Sequence, residues 1–154
     1  MENIQAKEAF LKTEYTRLLA QLDPNTPPIW GKMNVQQMIE HMGDYIRISN
    51  GKDVVELVIP SEHVPRALAF LESEKPFREN TPNQLLPDIP LPPKMELKEA
   101  IERVQKELDD FFEVYSDNPS KKVPTPFFGE LDYEHNIQLL HKHATHHLRQ
   151  FGVN

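Results

Sequence analysis

The sequence predicts an all-α protein, a four-helix bundle with a long proline-rich crossover between its second and third helices. Prolines are numerous, at 14 of 154 residues, and eight of them lie between Pro60 and Pro93. Because proline breaks the interior of a helix, long helices are expected only in the proline-free windows. These windows are residues 1–23, 29–59, 94–118 and 127–154.

Amphipathic periodicity identifies the first and third helices. In both windows, apolar residues recur at the intervals that place them on one buried face of a helix. The two sets are Ile4, Leu11, Tyr15, Leu18 and Leu22, and Leu97, Ile101, Val104, Leu108, Phe111 and Tyr115. The pattern predicts helices near residues 3–22 and 96–117.

Residues with known end preferences set the bounds of the second helix. Asn34, with Gln37 three positions later, resembles a capping box. Gly51 can take the left-handed conformation that ends many helices. These signals predict a helix over residues 34–50, and the last window predicts one near 132–151.

The crossover covers residues 51–95, which is too long for a structureless loop in a compact domain. We expect a short helix over residues 66–71 and an extended, polyproline-like chain over 87–93. Val54–Ile59 is the one strand-like run in the sequence. Trp30, just before the second helix, is expected to pack that helix against the bundle.

Composition and charge exclude several classes of function. The chain has 24 acidic and 17 basic residues, a formal net charge of −7, which argues against nucleic acid as a partner. It has no cysteine, and therefore no disulfide, thiolate nucleophile or Cys-ligated zinc. No apolar run is long enough to span a membrane, and the N-terminal residues are too charged for a secretory leader. We expect a single cytoplasmic domain over residues 1–154, without a membrane partner.

Histidines cluster on the last predicted helix, where five of the seven lie between His135 and His147. A helical wheel places Asn136, His143, His147 and Gln150 on one polar line at the edge of the apolar arc. His143 and His147 have the i, i+4 spacing that lets two imidazoles converge on one metal ion. Asn136 and Gln150 would then orient the rings. The HxxxH spacing alone is a weak signal, and a solvated or hydrogen-bonded histidine cluster explains it equally well.

A third histidine on the second helix favours the metal interpretation. His41 lies inside the apolar arc of that helix, between Tyr45 and Ile48 on the wheel. A lone histidine there is more often a core residue than a ligand, but this helix faces the one that carries the pair. Three neutral imidazoles with an open coordination position are typical of catalytic metal sites. We therefore predict that His41, His143 and His147 together bind one divalent metal.

The metal and the catalytic groups are less well specified by the sequence. Zinc and nickel are the preferred ions, and iron and cobalt also accept three imidazoles. The wheel turns His141 and His146 away, so neither is expected to be a ligand. Tyr45 and Asp44 are weak candidates for proton transfer, with an ordinary packed tyrosine and a surface carboxylate as the alternatives.

Two motifs resemble a branch of the DinB/YfiT-like superfamily. One is Pro28-Ile29-Trp30-Gly31-Lys32-Met33 followed by His41. The other is Pro126-Phe127-Phe128-Gly129 followed by a segment that ends in HHLRQFG, residues 146–152. The resemblance implies an up-down-down-up bundle, often dimeric, with one metal ligand on the second helix and an HxxxH pair on the last. At the matching positions of this chain stand His41, His143 and His147.

The resemblance implies a small-molecule substrate and leaves the reaction open. The superfamily includes thiol S-transferases that act on low-molecular-weight thiols, and enzymes that isomerise thiol adducts. We consider a metal-dependent transferase or hydrolase first, and a non-enzymatic metal- or ligand-binding sensor second. A purely structural bundle that dimerises through an apolar face is the third hypothesis, and it requires His41 to lie apart from the other two histidines.

Overall fold

The computed structural model describes residues 1–81 and 86–154, and it is mostly helical. The helices are α1 (Ile4–Thr13), α2 (Tyr15–Gln21), α3 (Val35–Ser49), α4 (Val64–Glu72), α5 (Leu97–Asp117) and α6 (Tyr133–Gln150). The strands are β1 (Val123–Thr125) and β2 (Gly129–Leu131), which form an antiparallel hairpin. Among the described residues, no helix combines the length and the apolar character that crossing a membrane requires.

The long helices pack on one another around a shared apolar core. Helix α3 lies against α5, α1 lies against α6, and α6 also contacts α3 and α4. Helices α2, α3, α5 and α6 all contribute large side chains to this core, among them Tyr15, Met38, Ile46, Phe111 and Ile137. This packing brings α3 beside α6, the two helices on which the sequence places the candidate ligands.

The first predicted helix is interrupted. Helix α1 ends at Thr13 and α2 begins at Tyr15, with Glu14 between them. The Thr13 hydroxyl donates to the carbonyl of Ala9, four residues earlier, a contact that commonly bends a helix. Apolar periodicity continues across the break, which is why it predicts one helix over 3–22.

The signals at helix ends are confirmed. Asn34 accepts from the backbone N–H of Gln37, and the Gln37 side chain accepts in return from the backbone of Asn34. Gly51 follows α3 with φ of 84°, in the left-handed region. Asp132 caps α6 by accepting from the backbone N–H of His135.

The crossover differs from its prediction in detail. Its helix, α4, is longer than the predicted segment 66–71 and follows a short 3-10 turn over Ser61–His63. The strand-like run Val54–Ile59 forms no strand, although the backbone N–H of Val58 does bond the carbonyl of Pro126. The segment 87–93 contains neither helix nor strand. Residues 82–85 of the crossover lie outside the described residues.

A polar cluster ties the end of α4 to α1 and α6, and we call it the lysine cluster: the buried Lys7, Gln138 and Lys142, with the exposed Glu74 at its edge. The Lys7 ammonium bonds Glu74 at 2.6 Å and the Gln138 side-chain oxygen at 2.7 Å. Gln138 donates to the carbonyls of Leu71 and Ser73, and Lys142 donates to that of Ser73. These bonds fix the chain that leaves α4 against the side of α6.

Candidate metal centre

The structure brings His41, His143 and His147 together. The Nε2 atom of His143 lies 3.1 Å from that of His41 and 3.0 Å from that of His147. One nitrogen from each of the three rings falls within 4.8 Å of the others. The structural-bundle hypothesis, which requires His41 to lie apart, is therefore wrong.

Helix geometry explains how the three rings meet. His143 and His147 stand one turn apart on α6, on the face that packs toward α3. His41 stands on α3 and reaches across the helix interface, with its ring centroid 5.0 Å from each of the other two. His143 and His147 are buried, and His41 is half-buried.

Burial holds the three imidazoles in their neutral form. Removal from water lowers the pKa of His41 to about 4, and it lowers the pKa of His143 and His147 well below the ordinary value. Each ring would also repel a charge on its neighbours, which acts in the same direction. Neutral imidazole is the form that binds a metal ion.

A hydrogen bond from His147 to the side-chain oxygen of Gln150 determines which nitrogen of His147 faces the cluster. The Gln150 amide group donates to the carbonyl of Trp30 at 2.9 Å, so its oxygen faces Nδ1 of His147 at 2.7 Å. Nδ1 must therefore carry the proton of the neutral ring. The Nε2 lone pair of His147 is left pointing at His143 and His41.

The cluster then contains too few protons for its contacts. Nε2 of His143 approaches two nitrogens, and one of them, on His147, has only a lone pair to offer. A single proton on His143 cannot complete two well-aligned hydrogen bonds. A cation accepts all three lone pairs at once, so these residues fit a divalent metal.

Not every predicted neighbour of the triad lies beside it. The Asn136 amide donates to the Tyr115 hydroxyl and to the carbonyls of Leu131 and Asp132, and its own oxygen has no partner. It makes no hydrogen bond to a histidine, so the prediction that it orients a ligand ring is wrong. Asn136 lies two helical turns before His143, about 10 Å along the axis, where the wheel still aligns them.

The two remaining histidines near the site lie outside the triad. The His141 ring packs edge-on against Phe10, on the α1 side of α6. The His146 ring packs between Trp30 and Phe77, at centroid distances of 5.3 and 5.8 Å. Neither ring belongs to the group that can hold a metal.

The two candidates for proton transfer have different surroundings. The Tyr45 ring lies edge-on to His143, at a centroid distance of 4.7 Å, and burial raises its pKa, so its hydroxyl stays protonated. Asp44 is exposed and forms an ion pair with Arg103 of α5 at 2.7 Å. Tyr45 can therefore offer a proton to a bound molecule, whereas Asp44 is engaged at the surface.

A cavity of about 820 Å³ opens over the triad. Aromatic side chains form much of its wall, and they are Trp30, Tyr45, Phe70, Phe77, Phe127 and Phe128. Its charged lining residues among those described are Lys32, Lys75 and Arg78. A second groove, of about 980 Å³, adjoins it on the other side of His41.

Sequence reasoning missed most of this wall. Phe70, Phe77, Lys75 and Arg78 come from the crossover, which carries no recognisable motif. Trp30, which the sequence predicts to pack the second helix against the bundle, lines the cavity with its ring against His146. The crossover has just two aromatic residues, Phe70 and Phe77, so its composition carries no signal of this role; its side chains reach the cavity through tertiary contacts.

Comparison with known proteins identifies the family. A family model described as the DinB superfamily matches residues 12–151. The chain belongs to the DinB superfamily. The part that matches the DinB superfamily contains all three clustered histidines and confirms the resemblance seen in the sequence. Searches of curated proteins and of solved structures found no match.

Proposed function

We propose that this DinB-superfamily chain is a metal-dependent enzyme that acts on a small molecule, as a thiol S-transferase or a hydrolase. His41, His143 and His147 hold one divalent ion, with zinc or nickel preferred over iron and cobalt. The observation that carries the proposal is the convergence of three neutral Nε2 atoms within 4.8 Å, at the floor of a cavity. When bound there, such an ion would lower the pKa of a water or thiol that it holds, which would give a nucleophile near pH 7.

The protein residues bind, orient and shield the reacting centre. Gln150 holds His147 in the tautomer whose Nε2 faces the ion. The aromatic wall keeps bulk water from the floor of the cavity, which strengthens electrostatic interactions there. The Tyr45 hydroxyl, kept protonated by burial, can donate to a negative charge that develops on the substrate.

The cavity lining bears on the choice of nucleophile. No aspartate or glutamate is among the described residues that line it, so no carboxylate is placed to take a proton from water. A thiol needs less help than water, because its ordinary pKa is already near 8.5. This difference favours thiol transfer over hydrolysis.

The same lining supports a second candidate, a non-enzymatic protein that binds a metal or a small ligand. Such a sensor needs the triad and the cavity, but it needs no proton acceptor. Metal-replete protein that binds a thiol and never turns it over would favour this candidate.

Three further elements of the proposal come from the sequence and the family. They are an up-down-down-up four-helix bundle, a homodimer, and a cytoplasmic location. The packing of α3 on α5 and of α1 on α6 supports the first of these. A mass of one chain, 17.9 kDa, in light scattering would contradict the homodimer.

Metal stoichiometry on protein purified without an immobilised-metal column tests the proposal. We expect one divalent ion per chain in the wild type, and loss of binding in His41→Ala, His143→Ala and His147→Ala. His141→Ala is the matched control, because its ring lies on the same helix but outside the triad. Unchanged binding in His41→Ala would overturn the proposed site.

Activity is measured on the same set of proteins. Transfer of a low-molecular-weight thiol to an electrophile such as 1-chloro-2,4-dinitrobenzene should need added metal and stop with a chelator. We expect the His141→Ala control to retain activity and the three triad variants to lose it.

A further inference from the structure

The charges that line the cavity over the triad differ in sign from those of the protein as a whole. The chain carries a formal net charge of −7. The charged side chains that line this cavity are nevertheless all basic in the described part of the chain: Lys32, Lys75 and Arg78.

Within residues 1–81 and 86–154, these three cations have no carboxylate partner. Among the described residues, none of them lies within ion-pair distance of an aspartate or glutamate. Glu74, the sequence neighbour of Lys75, is already bonded to Lys7. The positive charge at the cavity is therefore available to a ligand.

The adjoining groove differs from the cavity in the sign of its charges. It too has charged lining residues, but of both signs. Asp44 pairs there with Arg103, and Glu40 accepts from the backbone N–H of Lys94. Among the described residues, the groove is therefore lined by acidic as well as basic side chains, whereas the charged residues that line the cavity over the triad are basic; Lys32 lies where the two adjoin.

The cations and the aromatic rings occupy different depths. Lys32, Lys75 and Arg78 are exposed, whereas the Phe77 ring is half-buried and Phe128 is buried. The Phe77 ring also lies 6.0 Å from that of His143, beside the triad. A ligand that satisfies both layers has an anionic group at the mouth and an apolar body that reaches inward.

We propose that the cavity selects an organic anion, a carboxylate with an apolar or aromatic body, held by Lys32, Lys75 and Arg78 at the mouth. The body packs between the aromatic side chains and presents its inner end to the triad. This inference deepens the proposed function, on which it rests only for the reaction at that inner end. Binding of the anion itself depends on the cavity, and is measurable with and without metal.

A pair of probes of equal shape tests the charge requirement. They are 3-phenylpropionate and the neutral 3-phenylpropanamide, each titrated into metal-free and zinc-loaded protein. Trp30 is the single tryptophan of the chain and lines the cavity, so its fluorescence reports binding, with calorimetry as the second measurement. We expect the carboxylate to bind about tenfold more tightly than the amide in the metal-free protein.

Substitutions distinguish the effect of the three cations at the cavity mouth from the effect of the protein's overall charge. The triple variant Lys32→Gln, Lys75→Gln, Arg78→Gln should bring the two affinities to within about twofold. The matched control is Arg66→Gln, Lys121→Gln, Lys122→Gln, which removes the same charge from residues that do not line the cavity. The control should keep the tenfold preference, and circular dichroism verifies that both variants are folded.

The outcomes distinguish this inference from the proposed function. Equal affinity of the two probes for zinc-binding wild type overturns the inference and leaves the metal site intact. A tenfold preference for the carboxylate that survives in the metal-free triple variant Lys32→Gln, Lys75→Gln, Arg78→Gln also overturns it. A preference in metal-free protein that binds no zinc supports the inference while the proposed function fails.

Discussion

Helix α6 carries two buried polar clusters that differ in how well their hydrogen bonds are satisfied. In the lysine cluster, one ammonium meets a carboxylate and an amide oxygen, and each donor has an acceptor at ordinary distance. In the triad, three neutral imidazoles turn Nε2 atoms toward each other with too few protons between them. The two clusters use successive stretches of α6: Gln138 and Lys142 belong to the first, and His143 and His147, each five residues later, belong to the second.

The comparison distinguishes buried polar groups that stabilise the fold from buried polar groups that serve a ligand. Buried polar groups that satisfy one another rigidify a fold, and the lysine cluster does so for the chain that leaves α4. Buried groups that leave one another unsatisfied cost stability, and a protein keeps them where they serve a ligand. Helix α6 therefore fixes the chain after α4 through Gln138 and Lys142, and it contributes His143 and His147 to the candidate metal site one turn later.

The largest expected effect comes from breaking the satisfied cluster. Lys7→Met keeps the length of the side chain but leaves the buried Gln138 oxygen without a donor. We expect the free energy of unfolding of the metal-free protein to fall by about 2–4 kcal/mol. Urea denaturation followed by circular dichroism measures it.

The matched change in the triad is His143→Leu. It removes a ring whose contacts cannot all be hydrogen bonds, so the metal-free protein should lose less than about 1 kcal/mol. The same variant should bind no metal. Equal destabilisation by Lys7→Met and His143→Leu would contradict the difference in hydrogen-bond satisfaction between the two clusters.

A smaller effect is expected at the residue that joins the triad to the loop before α3. Gln150→Leu removes the acceptor that holds the His147 proton on Nδ1, and we expect metal affinity to fall by about 10- to 100-fold. Gln150→Glu keeps that acceptor but cannot donate to Trp30, so it should retain most of the affinity. Competition with a chromophoric chelator gives both constants, and similar losses in the two variants would assign the effect to the loop.

The smallest effect is a pH dependence in the lysine cluster. The hydrogen bond from Lys7 lowers the pKa of Glu74 to about 2. A lowered pKa in the folded state stabilises the protein above the ordinary value near 4.5, and this stability is lost as the pH falls toward 2. Because the Glu74 side chain is 43% exposed, we expect only about 1 kcal/mol.

Acid titration of the unfolding free energy checks this dependence. Lys7→Met should lose stability less steeply than the wild type between pH 4.5 and 2, since its Glu74 no longer gains from the ammonium. Parallel curves for the two proteins would contradict the assignment to this pair.

The sequence predicts the helices and the triad because both depend on local periodicity. Residues 34–50 and 96–117 match their helices to within a residue, and a wheel suffices to align His143 with His147. The break at Glu14 escapes prediction because the apolar periodicity continues across it. The β1–β2 hairpin escapes prediction because three-residue strands are too short to show alternation. Asn136 shows the limit of the wheel, which records direction around an axis and not distance along it.

The walls of the cavity illustrate a division of labour between helices and connections. The three histidines stand on α3 and α6, whereas Trp30, Phe77 and Phe127 stand on segments that connect helices. Connecting segments tolerate substitution and insertion more readily than packed helices do. Substitutions in these segments can therefore change which molecule the cavity accepts while the helices that carry the three histidines stay the same. An engineer can diversify three short connections as one library above an unchanged set of histidines.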